Sequence, residues 1–218
     1  MIPVRERVLA AGLRILYNLL YHQLAWSYDM VAAAVSIGRW QSWVKVCLPY
    51  LSGPCILEIG SGPGHLQAEM DSRGFQAFGV DASMQMTHIA HIKLLEKEVE
   101  SRIINGYAQF LPFASSIFDQ VVATFPSEYI VDPQALSDIY RILSPGGKLL
   151  IIPSAWLTGK HWYERILTGL LHAPYQSPDW VTWLFQPLLD TGFTCSLTQI
   201  NLDSSALLII QAVKDAES

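Results

Sequence analysis

A five-residue apolar run, "CILEI" at positions 55–59, breaks into three glycines on alternate positions, Gly60, Gly62 and Gly64. Such a run suits a strand buried on both faces of a parallel sheet and is short for a helix. Glycines directly behind it permit a tight turn and bring the backbone close to a ligand. The rhythm it starts then repeats. A helix from about Gly64 to Arg73 leads to the strand "QAFGVD", closed by Asp81. "SMQMTHIAHIKLLEKEVE" reads as a long helix, "RIING" as a weaker third strand and "FDQVVATF" as a clear fourth. "DPQALSDIYRIL" is a helix with Asp132 as N-cap and Pro133 in its first turn. "SPGG" is a turn, "KLLIIP" the fifth strand, and a helix ending near Gly192 precedes the last two strands, "FTCSLTQI" and "SALLIIQAV". Strands alternating with helices predict an α/β fold with a doubly wound, mostly parallel sheet of seven strands.

In such sheets a ligand lies outside the carboxyl ends of the strands, where strand order reverses. The glycine turn is the first place to look. The dinucleotide fingerprint G-x-G-x-x-G needs a glycine at position 65, and the residue there is His65. Glu58 stands two residues before the turn, a poor neighbour for a pyrophosphate and a good one for an ammonium group. The helix behind the turn offers its amides to a negative group such as a carboxylate. Asp81 follows Gly60 by 21 residues, where a strand-end carboxylate can accept both hydroxyls of a ribose. S-adenosylmethionine carries all three groups. A dinucleotide oxidoreductase is disfavoured by His65 and Glu58.

Four motifs in order carry a resemblance across 54–152: "ILEIGSGPGHL", "GVDASMQM", "GYAQFLPFASSIFDQVVATF" and "LSDIYRILSPGGKLLII". The chain resembles the class I S-adenosylmethionine-dependent methyltransferases of the small-molecule type, in the branch of the ubiquinone/menaquinone C-methyltransferases. The resemblance implies a Rossmann-like domain over 51–218, with S-adenosylmethionine as cofactor and S-adenosylhomocysteine as product. It implies that Gly60, Ser61, Gly62 and Gly64 wrap the methionine moiety, and that Glu58 reaches its ammonium directly or through water. By the same likeness Asp81 holds the ribose, Ala82 and Met86 border the adenine, and Ala108 and Gln109 line its other side. Thr124 and Phe125 then end the fourth strand beside the sulfonium. One position departs from the pattern: Tyr107 stands where the family usually has an Asp for the adenine amino group. Tyr107 is either an adenine neighbour or a packed core aromatic, and the Gln109 amide oxygen is a candidate substitute acceptor.

The flanks carry the substrate side of the reading. Residues 1–50 are expected to form two helices, the second from roughly Trp40 to Leu51, acting as a helical lid. Arg14, His22, Gln23 and Asp29 interrupt every apolar window of about 20 residues, which argues against a membrane span. Glu6 and Arg14 argue against a signal peptide. Tyr21, Tyr28 and Trp40 are lid candidates. An aromatic-rich insertion at about 155–187, with Trp156, His161, Trp162, Tyr163, Trp180 and Trp183, either overhangs an apolar pocket, touches a membrane surface, or serves as core or homodimer packing.

Methyl transfer from an activated sulfonium is an in-line displacement, so the protein mainly aligns the acceptor and excludes water. A general base is optional. Glu128 and Tyr129, in the loop after the fourth strand, rank first for that role, ahead of His161 and His22. His88 and His91 lie three apart on a helix without an evident third ligand, so no metal is expected. A formal charge of −5 without a basic cluster speaks against nucleic acid. Cys47, Cys55 and Cys195 read as reduced thiols, which places the protein in the cytoplasm, with peripheral membrane contact through the first helix or the insertion as an option. The expected protein is a monomer or homodimer that methylates a small hydrophobic or aromatic acceptor. The rival reading is a non-catalytic module with the same fold, serving binding or assembly.

Overall fold

The computed structural model describes Ser36, residues 38–158 and residues 179–216. A short helix α1 (Trp40–Val44) runs into a 3₁₀ segment (Lys45–Tyr50) and then into β1 (Cys55–Ile59). The tightening coincides with Pro49, which cannot donate to an α-helical ladder. α2 (His65–Asp71), β2 (Gln76–Asp81), α3 (Met84–Glu96), β3 (Ile103–Asn105) and β4 (Phe118–Thr124) follow. Then come α4 (Pro133–Ile142), β5 (Leu143–Ile152), β6 (Ala155–Leu157), α5 (Asp179–Asp190), β7 (Phe193–Asn201) and β8 (Ser205–Lys214).

The sheet order is β3-β2-β1-β4-β5-β8, with β7 on the far side of β8. β1 to β5 pair in parallel, and β8 runs antiparallel to β5, β6 and β7. Among the described residues, eight strand segments occupy the expected seven rows. β5 stops at Ile152 and its row resumes as β6, both against β8, at Ile151↔Ile210 and Ala155↔Leu207. The "SPGG" turn is also present, though it lies inside β5. Leu143 pairs with Phe118 and Lys148 with Gln120, so residues 144–147 loop out between them, with Gly146 at φ 74°.

Both faces of the sheet are covered, and alternation along each strand decides which side chain goes where. On β5, Leu149 and Ile151 join one core with Phe118, Leu136, Ile139 and Leu188, under α4 and α5. Leu150 and Ile152 join the opposite core with Trp43, Cys47, Leu66 and Met70, under α1, the 3₁₀ segment and α2. On β1, Leu57 and Ile59 belong to the first core and Ile56 to the second. Glu58 therefore shares the Ile56 face, beneath α2.

The α4 start is as read from sequence. Asp132 Oδ1 accepts the Gln134 and Ala135 amides at 2.8 and 3.4 Å, and Pro133 occupies the first turn. Among the described residues no helix is long and apolar enough to cross a membrane. The Phe118 ring is fully buried and meets Phe78 and Phe113 edge-on at 5.5 and 5.0 Å. Phe118→Ala should therefore cost roughly 3–5 kcal/mol of unfolding free energy. A urea transition that moves by under about 1 kcal/mol would refute this account of the first core.

Candidate functional site

Strand order reverses between β1 and β4, so the crevice lies at the carboxyl ends of β1, β2 and β4. The glycine turn sits there. Gly60, Gly62 and Gly64 have φ of 74°, 51° and 78°, in the left-handed region where a side chain would be strained. The turn is pinned to β2: the Gly60 amide donates to Val80 O at 2.8 Å and the Gly62 amide to Asp81 Oδ2 at 2.7 Å. Gly62 is buried, yet a Cβ built on it would meet nothing within 4 Å. That is open space against buried backbone, which a ligand can fill.

Asp81 is 4% exposed and serves as the junction of this edge. Its Oδ1 accepts the Ser83 amide at 2.8 Å, and its backbone carbonyl accepts the Gly106 amide and Asn105 Nδ2 at 3.0 and 2.9 Å. Glu58 is buried, and the Gln67 amide of α2 donates to its Oε2 at 2.8 Å. Burial pushes the Glu58 carboxyl up to about 8; the Gln67 hydrogen bond opposes the rise and the Asp81 charge adds to it. The two acids thus sit in different surroundings. Asp81 accepts backbone amides, while Glu58 tends to keep its proton near neutrality.

Ala82 is exposed at the end of β2, while Met86 and Ala108 are buried. Tyr107 is 62% exposed, which removes the core-aromatic alternative for it. Phe110, one turn on, is 74% exposed, so two apolar rings stand out at the β3 end of the crevice. Gln109 is anchored through the nitrogen of its amide, which leaves the amide oxygen as the acceptor. Its Nε2 donates to Asp132 Oδ2 at 3.0 Å, tying it to the α4 N-cap and helping to hold the Asp132 carboxyl below its usual range.

At the β4 end, Thr124 closes the strand and Phe125 takes φ 51°, unusual for a bulky residue and more so before Pro126. The Phe125 amide donates to Ile152 O at 2.7 Å, and its ring lies 4.5 Å from Trp40 and 6.4 Å from Trp43. Strain of this kind persists only where the surroundings over-determine it. Trp40, expected as a lid residue, is thus seated on the end of β4. Tyr129 is half-buried and its hydroxyl donates to Ile59 O at 3.1 Å, while the same oxygen would lie 3.1 Å from a Cβ on Gly60. Glu128, the other candidate base, is exposed on the same loop. Tyr21, Tyr28, His22 and His161 lie outside the described residues.

Two features were not read from the sequence. Gln67 is one. The signal was a glutamine between Leu66 and Met70 on the buried face of α2, a place that demands hydrogen-bond partners. The other is a set of orphaned hydroxyls: among the described residues the buried Oγ atoms of Ser61, Ser101 and Ser154 have no partner. Ser61 follows β1 and Ser154 follows β5, both at the crevice edge. Ser101 precedes β3, at the other end of the sheet.

The family of methyltransferase domains matches residues 57–151. A demethylmenaquinone methyltransferase of Lactiplantibacillus plantarum is 30% identical over 154 residues, 65% of either chain. The ubiquinone/menaquinone biosynthesis C-methyltransferase UbiE of Haemophilus ducreyi is 29% identical over 141 residues, 61% of this chain and 54% of its own. The alignment thus spans less than two thirds of either relative. A crystal structure of an S-adenosylmethionine-dependent methyltransferase from Methanosarcina mazei superposes with a TM-score of 0.56 at 18% identity, over 78% of this chain and 97% of that one.

Burial of Glu58 has a consequence for stability. Its carboxyl binds a proton more tightly in the folded chain than in the unfolded one, where it returns to about 4.5. The folded state is thus favoured below about pH 4.5, and this contribution drains away as pH rises towards about 8. Glu58→Gln should flatten that part of the profile. Urea titrations of both proteins at several pH values test it, and parallel profiles would contradict it.

Proposed function

From the match of residues 57–151 to the methyltransferase-domain family, we propose that the chain is a class I S-adenosylmethionine-dependent methyltransferase and that it methylates a small hydrophobic or aromatic acceptor. The observation that carries the reading is the crevice edge, where a pinned glycine turn, two buried acids and an aromatic wall meet. The residues present suit the cofactor. The open space at Gly62 and the orphaned Ser61 hydroxyl leave room and a polar partner beside the turn. Glu58 offers a carboxyl to an ammonium, and Asp81, its carboxylate oriented by the Gly62 and Ser83 amides, offers one to ribose hydroxyls. Exposed Ala82 and the protruding Tyr107 supply apolar surface for the adenine, with Met86 and Ala108 buried close by in sequence.

When bound, S-adenosylmethionine supplies a methyl group on a positively charged sulfur, so the leaving group comes with it. What remains for the chain is orientation and the exclusion of water. Trp40 and Phe125 form an aromatic wall at the end of β4 that suits a flat apolar acceptor. The names of the relatives make a quinol the first acceptor to try. Ser154, buried without a partner just beyond β5, offers a hydroxyl to an oxygen on such a ring. Tyr129, whose proton rests on Ile59 O, serves to hold the loop over Gly60 rather than to accept a proton. If the acceptor needs a base, exposed Glu128 is the better placed of the two. Residues 1–50 act as the lid and acceptor wall, and residues 51–218 as the cofactor-binding domain.

Calorimetric titration with S-adenosylhomocysteine should give micromolar-range binding, about −8 kcal/mol. Gly62→Arg and Asp81→Asn should abolish it. Trp40→Ala should keep it while lowering transfer to a short-chain naphthoquinol by on the order of tenfold to a hundredfold. A folded protein that binds no S-adenosylhomocysteine would refute the reading. Binding without transfer to any quinol, phenol or lipid acceptor would assign the chain to a binding role instead.

A further inference from the structure

Gln67 is 2% exposed and spends its amide on two strands at once. Nε2 donates to Glu58 Oε2 on β1 at 2.8 Å and to Phe78 O on β2 at 3.1 Å. A glutamine that merely filled the α2 face would be replaceable by leucine or methionine, as its neighbours Leu66 and Met70 show. Here the amide bridges the carboxyl that the cofactor reading assigns to an ammonium and the backbone of the strand that carries Asp81. We propose that Gln67 is the positioning residue for the amino-acid end of the cofactor, fixing the Glu58 carboxyl so that one oxygen stays on α2 and the other is left for the ammonium. The inference rests on the S-adenosylmethionine reading and goes beyond it in naming the residue that controls the contact.

The surroundings of Glu58 make the contact proton-linked. Asp81 faces it from the end of β2 and Cys47 from the 3₁₀ segment, and neither is a cation. Arg73 acts on Cys47 rather than on Glu58. Besides its ligand, then, the Gln67 hydrogen bond is, among the described residues, what favours the ionised carboxyl, against burial. An ammonium ligand needs that carboxylate, so its binding expels the Glu58 proton to solvent. A ligand without the ammonium does not.

The test compares S-adenosylhomocysteine with methylthioadenosine, which has the nucleoside and lacks the amino-acid end. Affinities are measured by calorimetry from about pH 6 to about pH 9, in buffers of different ionisation enthalpy, on wild type, Gln67→Met and Gln67→Glu. For wild type, S-adenosylhomocysteine should bind roughly tenfold more tightly per pH unit on the acid side and release close to one proton. Methylthioadenosine should show neither effect. Gln67→Met should move the midpoint upward and weaken S-adenosylhomocysteine roughly tenfold at neutral pH, leaving methylthioadenosine unchanged. Gln67→Glu, adding a second acid, should move it further in the same direction. Retained methylthioadenosine binding reports that each variant is folded. Equal losses for both ligands, or a midpoint that does not move, would overturn the role of Gln67. A wild-type protein that binds neither ligand at any pH would instead sink the cofactor reading.

Discussion

The carboxyl edge of this sheet depends on Asp81. One side-chain oxygen accepts an amide from the glycine turn after β1, the other accepts an amide at the start of α3, and its carbonyl accepts from both residues that follow or end β3. Hydrogen bonds from backbone amides to a carboxylate are about twice as strong as neutral ones. A single buried acid therefore ties three strand ends together and orients the turn whose glycines need left-handed dihedrals. A turn built from glycine loses more entropy on ordering than any other, and the Asp81 bonds offset that loss. The rigidity of the site is thus charge acting on main chain, with little side-chain packing of its own.

Strand parity puts the second acid on the same face of the sheet, where it behaves differently because α2 covers it. Glu58 is three residues from Cys55 on β1, on the face that Ile56 shares with α2 and the 3₁₀ segment, so its carboxyl is wrapped in apolar side chains. Gln67 is its partner there, and the nearby charge is Asp81, of the same sign. Burial and like charge raise the proton affinity of Glu58 while Asp81 takes the amides. Two carboxyls at one edge and on one face of the sheet, one held by backbone amides and the other covered by α2, come to differ in their partners and in what they can bind.

Much of this was legible in the sequence, and the parts that were not have physical reasons. The strand–helix rhythm, the Asp132 cap and the glycine turn are local patterns, and they appear where the residues put them. The internal loop of β5 was read as a turn before a strand, because pairing of Leu143 with Phe118 is a long-range fact. Gln67 is silent in the sequence, since a polar residue on a helix has no meaning until the strand beneath it is known. Gln109 shows a tie that spacing alone does not reveal: its amide nitrogen is held by the helix cap that the same sequence announces. Tyr107 illustrates the limit from the other side: aromatic character alone could not separate a core ring from a protruding one.

The wall on the acceptor side follows from the same parity. The face that carries Glu58 is the face covered by α1 and the 3₁₀ segment, where Trp43, Cys47 and Leu48 enter the core. That segment is anchored at a second point, since Trp43 Nε1 donates to Ser205 Oγ at 2.9 Å and an Arg39 guanidinium nitrogen to Ser204 O at 3.2 Å, both at the start of β8. Between these anchors Trp40 can only rest on the end of β4, and it meets Phe125 in its left-handed conformation. The aromatic wall is therefore set by the sheet and the start of β8, not by a free loop. A surface held in this way keeps its distance to the turn at Gly62, which is what alignment of two reacting groups requires. The strain at Phe125 is the cost of that placement, and the stack with Trp40 and the bond to Ile152 offset it.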